Sequence, residues 1–153
     1  NLLNYKGIKK RCDIVQSNEK FVVIDDYAHH PTEIEATMKS VELYDNLTNF
    51  NNRIVLWQPH KYSRTSDNLE GFKKCFRRCD ELIILPLWTV AGEKKIDIDF
   101  EKEFASYNPI FADRVVSYKG KIELIKDDKI IKTYDEGIFL GVGAGDITYQ
   151  LRY

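Results

Sequence analysis

The fold is decided by the stretch Phe21-Val22-Val23-Ile24-Asp25-Asp26-Tyr27-Ala28-His29-His30-Pro31, which joins an apolar run to a polar turn and a helix start. The apolar run predicts a buried strand over residues 21–26. Pro31 suits the first position of a helix, where its missing N–H costs nothing, so we expect a helix over residues 31–47. The short turn at residues 17–20 predicts an antiparallel hairpin with a strand at residues 11–16.

The same order of apolar run, polar turn and helix recurs at residues 53–57, which are followed by Gln58-Pro59-His60-Lys61-Tyr62-Ser63-Arg64-Thr65. Further strands are predicted at residues 81–85, 115–118 and 137–141, and further helices at residues 69–79, 99–107, from about 121, and at 146–152. Short apolar strands that alternate with helices predict the α/β class. We expect a Rossmann-like, mostly parallel sheet with helices on both faces and an antiparallel edge hairpin.

Four strands of the expected sheet end in polar or glycine-bearing turns. These turns are residues 25–30, 58–64, 88–93 and 143–146. All three histidines of the chain lie in the first two turns. Ligands of parallel α/β sheets bind beyond the carboxyl ends of the strands, so this edge of the sheet is the predicted functional site.

The chemistry of these turns favours a negatively charged ligand. Helix starts at Pro31 and near Thr65 would direct free N–H groups toward an anion, beside His29 and Arg64. Asp25 and Asp26 are candidates to accept hydrogen bonds from ribose hydroxyls or an amine.

A structural alternative stands beside this functional interpretation of the turns. Asp26 and His30 would then cap a turn and a helix, and Tyr27 and Tyr62 would be packing residues. Asp146, after a glycine turn, is a predicted N-cap.

Composition limits the classes of partner. The chain has 153 residues, as expected for one domain, and a formal net charge of −1, which argues against a nucleic-acid or membrane-surface partner. Three cysteines are expected to be reduced thiols, without metal-ligand spacing, in a cytoplasmic protein. The first residue is Asn1 rather than Met, so we expect a piece of a longer protein.

The string Asp-Asp-Tyr-Ala-His-His-Pro-Thr-Glu-Ile, residues 25–34, resembles the third-domain signature of the Mur ligases. These are the ATP-dependent, amide-forming enzymes of peptidoglycan synthesis. Residues 58–65, 91–93 and 143–147 narrow the resemblance, which runs from about Gly7 to the end of the chain. It implies that residues 1–153 form one domain, the last of three. The amino-terminal UDP-sugar domain and the central ATP domain would lie outside this chain, which contains no Gly-x-x-x-x-Gly-Lys-Ser/Thr phosphate loop.

The resemblance implies a reaction that joins L-alanine to UDP-N-acetylmuramate through an acyl phosphate. ATP and Mg²⁺ would be held mainly by the central domain, and the isolated chain would be inactive. Such an enzyme would serve cell-wall biogenesis, and with it cell shape and cell division. The alternatives are a muropeptide-recycling Mur ligase, which accepts a peptide amine, and a non-catalytic module that binds a nucleotide or another anion. A small hydrolase using His29 is disfavoured, since no Gly-x-Ser-x-Gly elbow is present.

The resemblance also implies roles for single residues. Asp26 would contact the ATP ribose. His29 would lie near the transferred phosphate and the incoming amino acid. Arg64 would bind the alanine carboxylate, with Lys61 and Tyr27 shaping the pocket. His29 and Arg64 are thus the candidate catalytic residues.

One position departs from the family pattern. The family usually has arginine where this chain has Lys61. Lysine keeps the positive charge but lacks the planar, two-pronged contact that a guanidinium makes with a carboxylate. His60, the preceding residue, is expected to support the loop rather than to touch substrate.

Overall fold

The computed structural model describes residues 11–152, which alternate between strands and helices along most of their length. The strands are β1 (Asp13–Ser17), β2 (Phe21–Asp26), β3 (Arg53–Trp57), β4 (Glu81–Ile84), β5 (Ile110–Phe111), β6 (Arg114–Tyr118), β7 (Lys121–Lys126), β8 (Lys129–Tyr134) and β9 (Gly137–Val142). The helices are α1 (Pro31–Thr48), α2 (Tyr62–Asp67), α3 (Leu69–Cys75), α4 (Phe100–Glu103) and α5 (Ile147–Leu151). Gly7, where the family resemblance begins, lies outside the described residues.

Two sheets organise these elements. The larger has the order β1-β2-β9-β3-β4-β5, in which β1 pairs antiparallel with β2 and the other neighbours are parallel. Val142 is in register with both Asp26 and Trp57, so the carboxyl ends of β2, β9 and β3 meet at one rim. The expected mostly parallel sheet with an antiparallel edge hairpin is confirmed.

The first core lies between the large sheet and the helices α1 and α3. Trp57 is its aromatic centre, with ring centroids 5.1 Å from Phe72, 4.9 Å from Phe76 and 5.1 Å from Phe104. Burying one such large apolar side chain stabilises the fold by roughly 1.5–3 kcal/mol. Because Trp57 is the last residue of β3, this packing fixes the point at which the following polar turn leaves the sheet.

The second core covers the opposite face of the large sheet. Here Phe21, Leu56 and Phe139 pack with residues of α5 and of the smaller, antiparallel sheet β6-β7-β8. Ile122 and Leu124 of that sheet are fully buried. Helix α5 provides the expected helix on this face, and the small sheet is an additional layer that the sequence does not predict.

The helix predicted from about residue 121 is wrong. Residues 121–126 form β7, whose four central residues are buried. Asp127 and Asp128 both have positive φ, the combination that a two-residue type I′ hairpin turn needs, and they connect β7 to β8. The backbone groups of β7 therefore bond to the neighbouring strands β6 and β8, and not to residues one helical turn away in the sequence.

Two other predicted helices are shorter than expected. Residues 69–79 do not form one helix, because α3 ends at Cys75 and leaves Cys79 outside it. Residues 99–107 divide into α4 and a 3₁₀ turn at Ala105–Tyr107. All three cysteines are free, as expected. Among the described residues, no helix has the length and apolar character needed to span a bilayer.

Candidate active site

The turn between β2 and α1 is built around the buried carboxylate of Asp26. Its Oδ1 accepts a hydrogen bond from the Ala28 amide at 2.8 Å, and its Oδ2 accepts one from the Thr37 hydroxyl at 3.0 Å. The Cys12 thiol also donates to Oδ2, at 3.2 Å. Burial and the neighbouring Asp26 raise the pKa of Cys12 to about 12, which keeps this thiol protonated as a donor. Asp26 thus caps the turn, as the structural alternative held.

The two histidines of this turn have different tasks. His30 is the N-cap of α1, and its Nδ1 accepts a hydrogen bond from the Thr32 amide at 3.3 Å. The Nδ1 of His29 lies 3.0 Å from the Tyr27 carbonyl oxygen. Because a carbonyl oxygen only accepts, Nδ1 of His29 carries the proton, and its Nε2 lies 3.9 Å from Oε1 of Glu33. The Tyr27 ring is 5.4 Å from the His29 ring and is partly exposed.

The turn after β3 is anchored by Gln58, which is 4% exposed. Its Oε1 accepts a hydrogen bond from the Ile147 amide at 3.0 Å, and its Nε2 donates to the Asp146 carboxylate. A side chain at Gly145 would place its Cβ 2.5 Å from both Gln58 and Trp88, so glycine is needed for the close approach of these loops. Asp146 occupies the predicted N-cap position of α5, but its side chain makes no capping bond.

The start of α2 differs from the expectation. The helix begins at Tyr62 rather than near Thr65. The Glu93 carboxylate accepts hydrogen bonds from the Ser63 amide at 3.0 Å and from its hydroxyl at 3.3 Å. The prediction that this helix start offers free N–H groups to a ligand is therefore wrong, since Glu93 occupies its first turn.

His60 joins the two candidate catalytic residues. Its Nδ1 lies 2.8 Å from Nη1 of Arg64, and its ring centroid lies 6.5 Å from that of His29. A guanidinium only donates, so Nδ1 of His60 is unprotonated. Burial lowers the pKa of His60, and the charges of Arg64 and Lys61 lower it further. The predicted approach of His29 to Arg64 is present, with a neutral imidazole between them.

The sequence of the chain also matches a known protein family. Residues 10–132 match the sequence model of the family described as Mur ligase, glutamate ligase domain. The chain belongs to this Mur ligase family.

Named relatives of this Mur ligase domain come from several bacteria. A UDP-N-acetylmuramate--L-alanine ligase of Helicobacter pylori is 57% identical over 99% of the chain, which covers 34% of that protein. Proteins of the same name from Campylobacter curvus and Campylobacter jejuni subsp. doylei are 51% and 40% identical over 99% of the chain, which covers 35% and 33% of them. The chain thus spans about a third of the length of these relatives.

Solved structures support the fold. The UDP-N-acetylmuramate-alanine ligase MurC of Thermotoga maritima aligns with a TM-score of 0.57 at 23% identity, over 95% of this chain and 29% of that one. A murein peptide ligase of Psychrobacter arcticus aligns with a TM-score of 0.55 at 14% identity, over 94% of this chain and 28% of that one. At these identities the likeness concerns the fold of the Mur ligase domain alone.

The donor set of this Mur ligase domain fits an anion better than a cation. The charges of Arg64 and Lys61 act on His60, as does the opposite charge of Glu93, and the His29 ring centroid lies 6.5 Å from that of His60. Within residues 11–152, no group of three or more His, Cys, Asp or Glu side chains could hold a metal ion. The positively charged side chains of the site suit a carboxylate or a phosphate.

Sequence reasoning missed two residues that shape the site. Gln58 and Glu93 stand in the turns that were singled out, but neither was given a role. A polar residue directly after the apolar run that ends at Trp57 was a usable signal for Gln58, because burial at a strand end requires partners. Glu93 belongs to the 91–93 motif, but its partner Ser63 is thirty positions away, so no local pattern predicts their contact.

Proposed function

We propose that this chain is the third domain of an ATP-dependent ligase that joins L-alanine to UDP-N-acetylmuramate in peptidoglycan synthesis. The observation that carries the proposal is the 57% identity to a ligase of that name over 99% of the chain. Because the chain spans about a third of that relative, the proposal places the UDP-sugar and ATP domains in the rest of a longer protein. Such an enzyme would work in the cytoplasm and contribute to cell shape and division.

The proposed reaction has two steps. A carboxylate oxygen of UDP-N-acetylmuramate attacks the γ-phosphorus of ATP, which gives an acyl phosphate and releases ADP. The alanine amine then attacks the acyl carbon, and the tetrahedral intermediate expels inorganic phosphate as the amine loses its proton. Positioning of the amine and stabilisation of the negative oxygens would supply most of the rate.

Arg64 has the chemistry to bind the alanine carboxylate. Its contact with neutral His60 fixes one nitrogen of the guanidinium and leaves other N–H groups for a substrate oxygen. Lys61, on the same turn, adds a second positive charge without the forked geometry of an arginine.

We assign His29 to the reacting groups. Its Nδ1–H is bound to the Tyr27 carbonyl oxygen, which fixes the ring, and its Nε2, beside the Glu33 carboxylate, would face the transferred phosphate or the amine. Tyr27 would form a wall of the same pocket. Asp26 is assigned to the ATP ribose on the family resemblance alone, since its buried carboxylate already accepts hydrogen bonds from Ala28, Thr37 and the Cys12 thiol. Mg²⁺ is assigned to the central domain.

The test is substrate dependence of phosphate release by the full-length ligase. We expect release only when ATP, UDP-N-acetylmuramate and L-alanine are all present, and no release by the isolated chain. A preference for a muropeptide-derived peptide over free alanine would instead identify a recycling ligase. Tight binding of ATP or alanine by the isolated chain, together with an inactive full-length protein, would favour the non-catalytic binding module.

A further inference from the structure

The segment of residues 88–93, here called the strap, fastens the turn that carries the candidate amino-acid site. The Trp88 amide donates to the Pro59 carbonyl at 2.7 Å, and the Trp88 carbonyl accepts from the Lys61 amide at 2.9 Å. His60 and Trp88 form the parallel bridge between these bonds. One end of the strap is thus fixed to the turn by backbone contacts alone.

The other end of the strap is fixed by one side chain. The strap turns back on itself through a bond from the Glu93 amide to the Val90 carbonyl and through Gly92, whose φ is +80°. This turn brings the Glu93 carboxylate to Ser63, where Oε1 accepts from both the amide and the hydroxyl. Ser63 directly precedes Arg64, so the bond is one residue from the guanidinium-bearing position.

The negative charge of Glu93 suits a side chain that accepts hydrogen bonds at the start of a helix. Burial opposes its ionisation, but hydrogen bonds from Ser63 and from neighbouring backbone hold the pKa of Glu93 below its ordinary value. An ionised carboxylate on the first turn of a helix makes charge-assisted bonds and complements the helix dipole. Glu93 therefore acts as a helix cap supplied by a different loop.

We propose that Glu93 is a positioning residue for the amino-acid subsite, and that it holds the first turn of α2 so that Arg64 stays paired with His60. The inference rests on the proposed function for the identity of the substrate, and on geometry alone for the coupling between Glu93, Ser63 and Arg64. Glu93 acts through Ser63 and does not need to touch alanine. Its loss should therefore impair recognition of alanine more than recognition of ATP.

The structural arm of the test uses hydrogen exchange and histidine NMR on the full-length ligase. In Glu93→Ala, exchange of the Ser63 amide should rise by roughly 3- to 30-fold, as for loss of a helix cap. His60 should also lose its preference for the tautomer with unprotonated Nδ1, because Arg64 no longer donates to it. Glu93→Gln keeps an acceptor oxygen and should restore part of both signals. Unchanged exchange and an unchanged tautomer in Glu93→Ala would overturn the proposal.

The kinetic arm separates positioning from simple stability. Glu93→Ala should raise KM for L-alanine on the order of tenfold while KM for ATP stays within about twofold, because a displaced group weakens only the substrate that it holds. Glu136→Ala, an exposed carboxylate in the turn between β8 and β9, is the matched control and should change neither. Equal changes in both KM values would reduce Glu93 to a structural contact and overturn its positioning role. A wild-type ligase that does not use alanine would end the proposed function, whereas the exchange and tautomer results would still decide for or against the coupling.

Discussion

The two histidine-bearing turns differ in how far apart in the sequence their bonded residues lie. The turn after β2 contains several short-range bonds, although Asp26 also accepts from the Cys12 thiol and the Thr37 hydroxyl, 14 and 11 positions away. Three of its bonds join residues two positions apart: Ala28 to Asp26, His29 to Tyr27, and Thr32 to His30. Such short-range bonds can form as soon as the strand end and the helix start are in place.

The turn after β3 depends on distant segments. Gln58 binds Asp146 and Ile147 after β9, and Ser63 binds Glu93 after β4. Its geometry exists only when three strands have brought their loops together at one rim. The comparison teaches that short-range bonds contribute more to the first half of the site, whereas the second half is a product of the assembled sheet.

The largest expected effect is on the KM for L-alanine and comes from a residue in the turn after β3. Arg64→Ala in the full-length ligase should raise KM for L-alanine on the order of 100-fold, because charge-assisted hydrogen bonds to the substrate carboxylate are lost. KM for ATP should change far less. Steady-state kinetics with each substrate varied in turn measures the difference, and Arg77→Ala, an exposed arginine paired with Glu35, is the matched control. Equal, small changes in both constants would remove Arg64 from the site.

The second-largest effect concerns the contribution of the turn after β3 to the stability of the fold. Gln58→Leu should lower the free energy of unfolding by about 2–3 kcal/mol, because the Ile147 amide and the Asp146 carboxylate lose a buried partner. Urea unfolding followed by circular dichroism measures this loss. A decrease below about 0.5 kcal/mol would show that the two loops do not depend on Gln58.

A smaller effect is expected in the turn after β2. His30→Ala should lower the free energy of unfolding by about 1 kcal/mol, through loss of the bond to the Thr32 amide. His30→Asn should restore most of it, since asparagine is a favourable N-cap residue. If the cap is a local contact, replacing one residue by another good N-cap residue should recover the free energy of unfolding. Failure of His30→Asn to recover it would contradict that interpretation.

The smallest effect is the acid dependence that His60 contributes. Its pKa in the folded protein is lowered from 6.5, mainly by burial and then by Arg64, so the unfolded chain binds more protons than the folded one just below that pH. The stabilising contribution is therefore complete above pH 6.5 and is lost as pH falls toward the folded pKa. Solvent screens this half-exposed imidazole, which keeps the effect small.

His60→Asn provides the comparison for this pH dependence. Asparagine retains an oxygen that can accept from Arg64 but does not titrate, so the variant should lose less stability than the wild type on acidification. Thermal unfolding of both proteins across this pH range measures the difference. Identical slopes for the two proteins would show that His60 does not titrate with folding.

Much of the large sheet could be predicted from the sequence. The apolar runs at β2 and β3 were located with both ends correct, because each is bounded by a polar turn. Pro31 marked the start of α1, where the local cap of His30 agrees with the sequence signal. The approach of His29 to Arg64 followed from a general rule on where parallel strands place their carboxyl ends.

The remainder depends on pairings that no short window contains. A helix is predicted from about residue 121, whereas pairing with β6 and β8 makes residues 121–126 a strand. The adjacent aspartates at 127 and 128 were the available turn signal. The partners of Glu93 and Gln58 could not be identified from the sequence, since they lie 30 or more positions away.

The central position of β9 has a consequence for synthesis on the ribosome. β9 lies between β2 and β3 and pairs with both, yet it is the last strand of the described chain to be translated. Until residues 137–142 have been synthesised, the strand that lies between β2 and β3 and sets their separation is missing. The rim that carries the candidate site is thus expected to form late, after most of the described residues have left the exit tunnel, and chaperone protection of the exposed apolar strands would matter most in that interval.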